Sequence, residues 1–211
     1  MLLALAVPAL VGGTSHAAVT PAAVVAAPSA GLPPIDTEIE STMTVVDCPI
    51  TLDVGVVKLN FEGTIKQVVA SDPNEADATK AVRLRTTGFH MEATTPDGKI
   101  KVVLDMKDPN NAPDGLLSVV TSDPPQFAEL DILDLAATIE LSGEFGTTTH
   151  VLTSANPMRL LNPDLHRFPA VDALYQLQEA VSLIDANGTK VASIDDFLDV
   201  RNGPVHLPES P

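Results

Sequence analysis

The sequence predicts an all-β domain, an antiparallel bent β-sandwich or barrel of about eight or nine strands, several of them long and bulged. Three observations carry that expectation. Apolar and polar residues alternate with period two through stretch after stretch, as half-buried strands require. Turn residues separate these stretches, with Pro96-Asp97-Gly98 and Asn187-Gly188 set between apolar runs. Finally, aromatic residues are only 3% of the chain, with one Tyr and no Trp, against 45% hydrophobic residues. A core filled by Val, Leu, Ile and Ala suits a pleated surface.

The clearest element is the hairpin from Val82 to Met106. Val82 and Leu84 are apolar at even positions, whereas Phe89, Met91 and Ala93 are apolar at odd ones. One extra residue within Thr86-Thr87-Gly88, a β-bulge, absorbs that change of phase. After the Pro-Asp-Gly turn, Ile100, Val102, Leu104 and Met106 resume the alternation.

Taken in order, the chain opens on an apolar run, Leu2 to Gly13, followed by Ser15-His16-Ala17. That is the pattern of an export signal cleaved after Ala17. No Lys or Arg precedes Lys58, so residues 1–17 are expected to be a signal peptide truncated at its N-terminus. Residues 18–34 hold Pro21, Pro28, Pro33 and Pro34 and no charge, and are expected to be a disordered Ala/Pro-rich linker. A single all-β domain is placed at residues 35–201, with a frayed tail at 202–211.

Within the domain, Ser41 to Val46 is a short strand, and Val57, Leu59, Phe61 and Ile65 mark a long one. Gly63 holds an inward position there, which signals a bend or a close backbone approach. Leu116 to Thr121 is a strand. Phe127 to Leu141 is another, with a slip of phase at Ile132-Leu133 that predicts a second bulge or bend. Thr147 to Thr153 follows, and Asn156 to Pro169, with three prolines, is expected to be an irregular crossover. Residues 171–184 fit both helical and strand spacing, and the following Asn187-Gly188 decides for a strand.

Charge and composition exclude several functions. The net charge is −16, which opposes nucleic-acid binding and adhesion to anionic lipid. Residues 108–211 hold sixteen acids against four bases. Scarce rings weigh against stacking platforms for sugars or single strands. No later stretch is apolar enough to span a membrane. The partner left is an unknown protein or a small apolar ligand, and the expected location is secreted or extracellular, with cell-wall association as an option.

No catalytic, metal or cofactor motif emerges. There is no G-x-S-x-G, no phosphate-cradling Gly-rich loop, and His90, His150, His166 and His206 stand far apart. Asp108, Asn110 and Asp114 miss the EF-hand spacing, Asp185-Asn187-Gly188 reads as a turn, and Asp195, Asp196 and Asp199 read as solvated. Cys48 is the lone cysteine, and a buried, inert thiol is expected. His90 and Glu92 share one face of their strand, opposite Phe89 and Met91, and are therefore expected to face water.

The runs GVVKLNFEGTIKQV at Gly55–Val68 and VRLRTTGFHMEATTPDGKI at Val82–Ile100 resemble exported actinobacterial β-rich proteins of unknown function. So do the signal-like start and the Ala/Pro linker. That resemblance implies no residue roles. The first functional expectation is a non-enzymatic β domain that binds a protein partner or a small apolar ligand. Its alternatives are a small barrel enzyme of isomerase or cyclase type, needing His90, Glu92 or Tyr175 in a cavity, and a structural envelope protein.

Overall fold

Thirteen antiparallel strands make one sheet in the computed structural model, which describes residues 31–71 and 79–203. They are β1 (Glu38–Leu52), β2 (Gly55–Ala70), β3 (Ala81–Thr94), β4 (Ile100–Met106) and β5 (Gly115–Ser122). Then come β6 (Pro125–Leu133), β7 (Leu135–Gly143), β8 (Gly146–Ser154) and β9 (Met158–Leu165). Last are β10 (Ala173–Leu177), β11 (Val181–Ile184), β12 (Lys190–Ile194) and β13 (Leu198–Asn202). The expected signal segment, most of the linker and most of the tail lie outside the described residues. Among the described residues no helix is long and apolar enough to cross a membrane.

The count exceeds the expected eight or nine for a definable reason. β1, β2 and β3 run unbroken for 15, 16 and 14 residues. The other ten strands follow one another in five further courses: β4 then β5, β6 then β7, β8 then β9, β10 then β11, and β12 then β13. Both strands of each course pair with the courses before and after it, and β12 and β13 both return to β1. The sheet is thus a ring of eight antiparallel courses, five of them interrupted in mid-length. One half of the ring contains β4, β7, β8, β11 and β12, and the other β5, β6, β9, β10 and β13, with β1 to β3 shared.

Side chains alternate between the interior and the outside. In the opening hairpin Phe89, Met91 and Ala93 are buried with Val102, Leu104 and Met106. Ladder pairs join Met91 to Leu104 and Ala93 to Val102. The bulge is where the phase change placed it: Lys66 faces Gly88 and Gln67 faces Thr86, leaving Thr87 extra. A second bulge leaves Val46 and Asp47 between the Val45–Phe61 and Cys48–Leu59 pairs. Gly63 lies between Met43 and Met91 in the ladder, and a Cβ there would overlap the His90 carbonyl oxygen, which accounts for the glycine.

Two expectations change. Met158–Leu165 is a strand, not an irregular crossover. Met158, Leu160, Asn162 and Leu165 turn inward, and Pro163 falls where β6 pairs Glu129 with Asn162 and Phe127 with Leu165, so its missing N–H breaks no ladder bond. The course interrupts at Asp134, one residue past the expected bend, but the phase does not slip. Phe127, Glu129, Asp131, Leu133, Leu135, Ala137 and Ile139 are all buried. Two acids therefore point inward where apolar patterning would have placed Leu130 and Ile132.

Candidate functional site: an ionic floor beneath an apolar interior

The interior of the β6–β9–β10–β13 half holds a polar cluster. β6 contributes Glu129 and Asp131, β10 contributes Tyr175, and β13 contributes Asp199 and Arg201, all of them buried. β13 repeats the inversion seen in β6: Leu198 and Val200 face outward while Asp199 and Arg201 face in. Phe197, fully buried, sets that phase. Asp199 therefore departs from the expectation of a solvated acid, whereas Asp195 and Asp196 remain exposed.

Arg201 is the centre. Its Nη1 donates to Glu129 Oε1 at 3.0 Å and lies 2.7 Å from Asp131 Oδ2. Its Nε reaches Asp199 Oδ2 at 3.4 Å. The guanidinium carbon sits 3.8 Å from the centre of the Tyr175 ring, a cation–π contact. Tyr175 Oη donates to Glu129 Oε2 at 2.5 Å, and Gln67 Nε2 donates to Asp131 Oδ1 at 2.7 Å. Gln67 comes from β2, across the ring from β6, so the network spans the interior. The Thr86 hydroxyl, next to Gln67 in the ladder, is buried without a hydrogen-bond partner among the described residues.

Three carboxylates surround one guanidinium, and burial raises the pKa of two of them, Glu129 and Asp199. Loss of water raises Glu129 to about 7, and Asp131 adds to the rise while Arg201, Tyr175 and Gln67 oppose it. Asp199 is raised to about 6, again chiefly by burial, against the pull of Arg201. Burial and the neighbouring Glu129 push the Tyr175 phenol well above its ordinary value. Arg201 also stands above its ordinary value, because Asp131, Tyr175, Glu129 and Asp199 together outweigh the burial that disfavours its charge. The arginine is the built-in cation of this site.

The other half of the interior is apolar. Two rows cross it through ladder pairs: Met91, Leu104, Ala137 and Leu152, then Ala93, Val102, Ile139 and His150. The second row lies nearer the open end, where a cavity of about 40 Å³ is lined by Leu52, Asp53, Val54, Ile139, Leu141, His150 and Val191. Val54 and, at the β7–β8 turn, Phe145 stand exposed at this end. A larger cavity of about 390 Å³ lies along the single stretch 162–174, and six of its ten lining residues are exposed.

The residues singled out from sequence fall as follows. His90 and Glu92 face water: His90 Nδ1 lies 2.7 Å from Asp105 Oδ1, and Glu92 Oε2 lies 3.4 Å from Lys101 Nζ. Tyr175 alone of the three candidate groups faces the interior. Cys48 is buried with its Sγ 3.2 Å from the Asp196 carbonyl, and burial, reinforced by Asp196 and Asp195, pushes its thiol up to about 12. Asp108 and Asp185 cap their own loops, accepting from the amides of Asn110 (2.9 Å) and of Asn187 and Thr189 (2.8 Å each). Glu129, Asp131 and Arg201 were missed. Their signal was phase: the alternation of Leu133 to Leu141, carried backward without a slip, places 131 and 129 inside.

The chain is an all-β protein built as a closed antiparallel ring, with an ionic floor in one half and an apolar interior in the other. No protein-family model matches it, and no curated protein sequence is similar to it. It shares its fold with a solved structure described as "Structure of DynF from the Dynemicin Biosynthesis Pathway of Micromonospora chersina". That likeness has a TM-score of 0.61 at 18% identity, covering 94% of this chain and 95% of that one.

Proposed function

We propose that this protein is a β-barrel that binds a small, mainly apolar ligand in the apolar half of its interior, above the Arg201 cluster. The observation that carries the reading is the division of one closed interior. Ala93, Val102 and Ile139 line a half that opens at an apolar mouth, while Arg201 and its acids close the other half. Eight-stranded barrels are wide enough for side chains to fill or for one small ligand. The 40 Å³ space holds little more than a water molecule, so a ligand must displace the mouth residues to enter. We also read the protein as exported, which the apolar start supports.

Fluorescence of the neutral probe N-phenylnaphthylamine tests the reading, with no Trp in the chain to interfere. One saturable site per chain is expected, weakened by Ala137→Phe in a variant whose circular dichroism is unchanged. Absence of saturable binding would sink the proposal.

A second reading is favoured by one contact, the Tyr175–Glu129 hydrogen bond inside the ring. A carboxyl that titrates near 7 is suited to donate and accept protons, as an isomerase or cyclase would require. The structural neighbour is described as belonging to a biosynthesis pathway, which is compatible with this alternative. Here Tyr175→Phe would abolish turnover and leave probe binding intact. Under the binding reading no turnover exists to lose.

A further inference from the structure

We propose that His150 is the polar anchor of the apolar mouth, and that the ligand is a neutral molecule carrying a carbonyl or hydroxyl oxygen at one end of an apolar body. This rests on the apolar-ligand reading above and adds to it a charge class and a contact.

Position is the first ground. His150 pairs with Ile139 in the β7–β8 ladder and shares its inward phase with Leu152 and Ser154, both buried. It ends the cross-strand row Ala93, Val102, Ile139 and lines the small cavity with Leu52 and Val191. It is thus a nitrogen-bearing ring set among aliphatic side chains, half-buried at the point where the interior meets solvent.

Its lack of a partner is the second ground. His90 and His166 each sit beside an aspartate, at 2.7 and 3.7 Å, but the His150 side chain makes no hydrogen bond or ion pair with any described residue. Imidazole presents an N–H in either tautomer, so a donor is available to whatever enters. The His150 ring is half-buried with its nitrogens within reach of solvent, and an acceptor on a ligand that shuts out that solvent has to take its place.

Charge supplies the third ground. Asp53 lines the same cavity, and the neighbouring turns carry Asp97, Glu144 and Asp185 against Lys99 and Lys190. Lys99 is itself 3.4 Å from Asp97. Arg201 lies in the other half and is held by three carboxylates. An anionic head would meet a negative rim on a chain of net charge −16, whereas a neutral oxygen would meet only the His150 N–H.

Three matched probes, acetylnaphthalene, ethylnaphthalene and naphthoate, separate the possibilities in equilibrium binding to the intact protein. Acetylnaphthalene is expected to bind about tenfold more tightly than ethylnaphthalene, the worth of one hydrogen bond to a partly buried donor, with naphthoate weakest. His150→Leu should erase the preference and keep ethylnaphthalene binding, and His150→Gln, which restores an N–H donor, should recover part of it. Tightest binding of naphthoate, or a preference for acetylnaphthalene that survives His150→Leu, would overturn the inference while leaving the apolar site standing. Failure of all three probes to bind would overturn both readings.

Discussion

Arg201→Met removes the one cation from a buried cluster of acids. The wild-type guanidinium lies within 3.4 Å of oxygens from Glu129, Asp131 and Asp199 and packs 3.8 Å from the Tyr175 ring centre. Methionine approximates the volume without the charge, leaving three buried carboxyls supported mainly by Tyr175 and Gln67. Breaking a buried ion pair from one side costs about 3–5 kcal/mol, because the abandoned charge stays desolvated. Glu129 and Asp199 escape the penalty by binding protons, so their folded pKa values rise further above the unfolded ones. Stability from such groups is fully present below the unfolded pKa and is lost as pH rises through the folded pKa. Urea unfolding should therefore place Arg201→Met about 3–5 kcal/mol below wild type at about pH 7.5, with the deficit falling to about 1–2 kcal/mol near pH 5. A deficit under about 1 kcal/mol at the higher pH, or one that grows on acidification, would refute the assigned role of the arginine.

Wild type should itself gain stability on mild acidification, because Glu129 titrates at about 7 and Asp199 at about 6, both above their ordinary values. At about 1.4 kcal/mol per pKa unit the rise from pH 7.5 to 5 is about 4 kcal/mol, and Glu129→Gln should remove more than half of it; a stability that falls over this window contradicts the buried cluster. Gly63→Ala places a methyl against the His90 carbonyl and the Met91 backbone, and should lower stability by about 3 kcal/mol or prevent folding, as thermal unfolding would record. Cys48 should resist alkylation at pH 8 in the native protein and react once urea unfolds it, since its thiol is buried and raised to about 12. Joint replacement of His90 and Glu92 by alanine should change stability by less than about 1 kcal/mol and leave probe affinity untouched, as exposed pairs do.

Much of the ring was legible because most of its courses obey the rule that apolar residues turn inward. The hairpin of β3 and β4, the extra residue at Thr87 and the tight approach at Gly63 all follow from period-two alternation and glycine placement. The Asn187-Gly188 turn likewise decided the ambiguous segment for strand, which the structure divides into β10 and β11. What stayed hidden was where the rule is inverted. In β6 and β13 the acids and the arginine point in, and Leu198 and Val200 point out. Hydrophobic periodicity has no means of preferring a buried carboxylate, since its partner lies 72 residues away in the chain for Glu129 and Arg201. Strand number was underestimated in its turn, because the short interruptions between β6 and β7 and between β10 and β11 look like continuous pattern, and because β9, with its proline, and β13, with its inverted burial, do not read as strands. The chain's likeness in fold to the DynF structure extends over nearly its whole length, and at 18% identity it speaks to the fold and not to the ligand.

Where an apolar molecule sits is the most direct question, and methyl NMR answers it. With ethylnaphthalene bound, intermolecular NOEs should reach the methyls of Ala93, Val102, Ala137 and Ala192, which face the apolar interior. NOEs instead to Leu174, Leu198 and Val200, the apolar residues on the outer face, would contradict an interior site and mark that face as the binding surface.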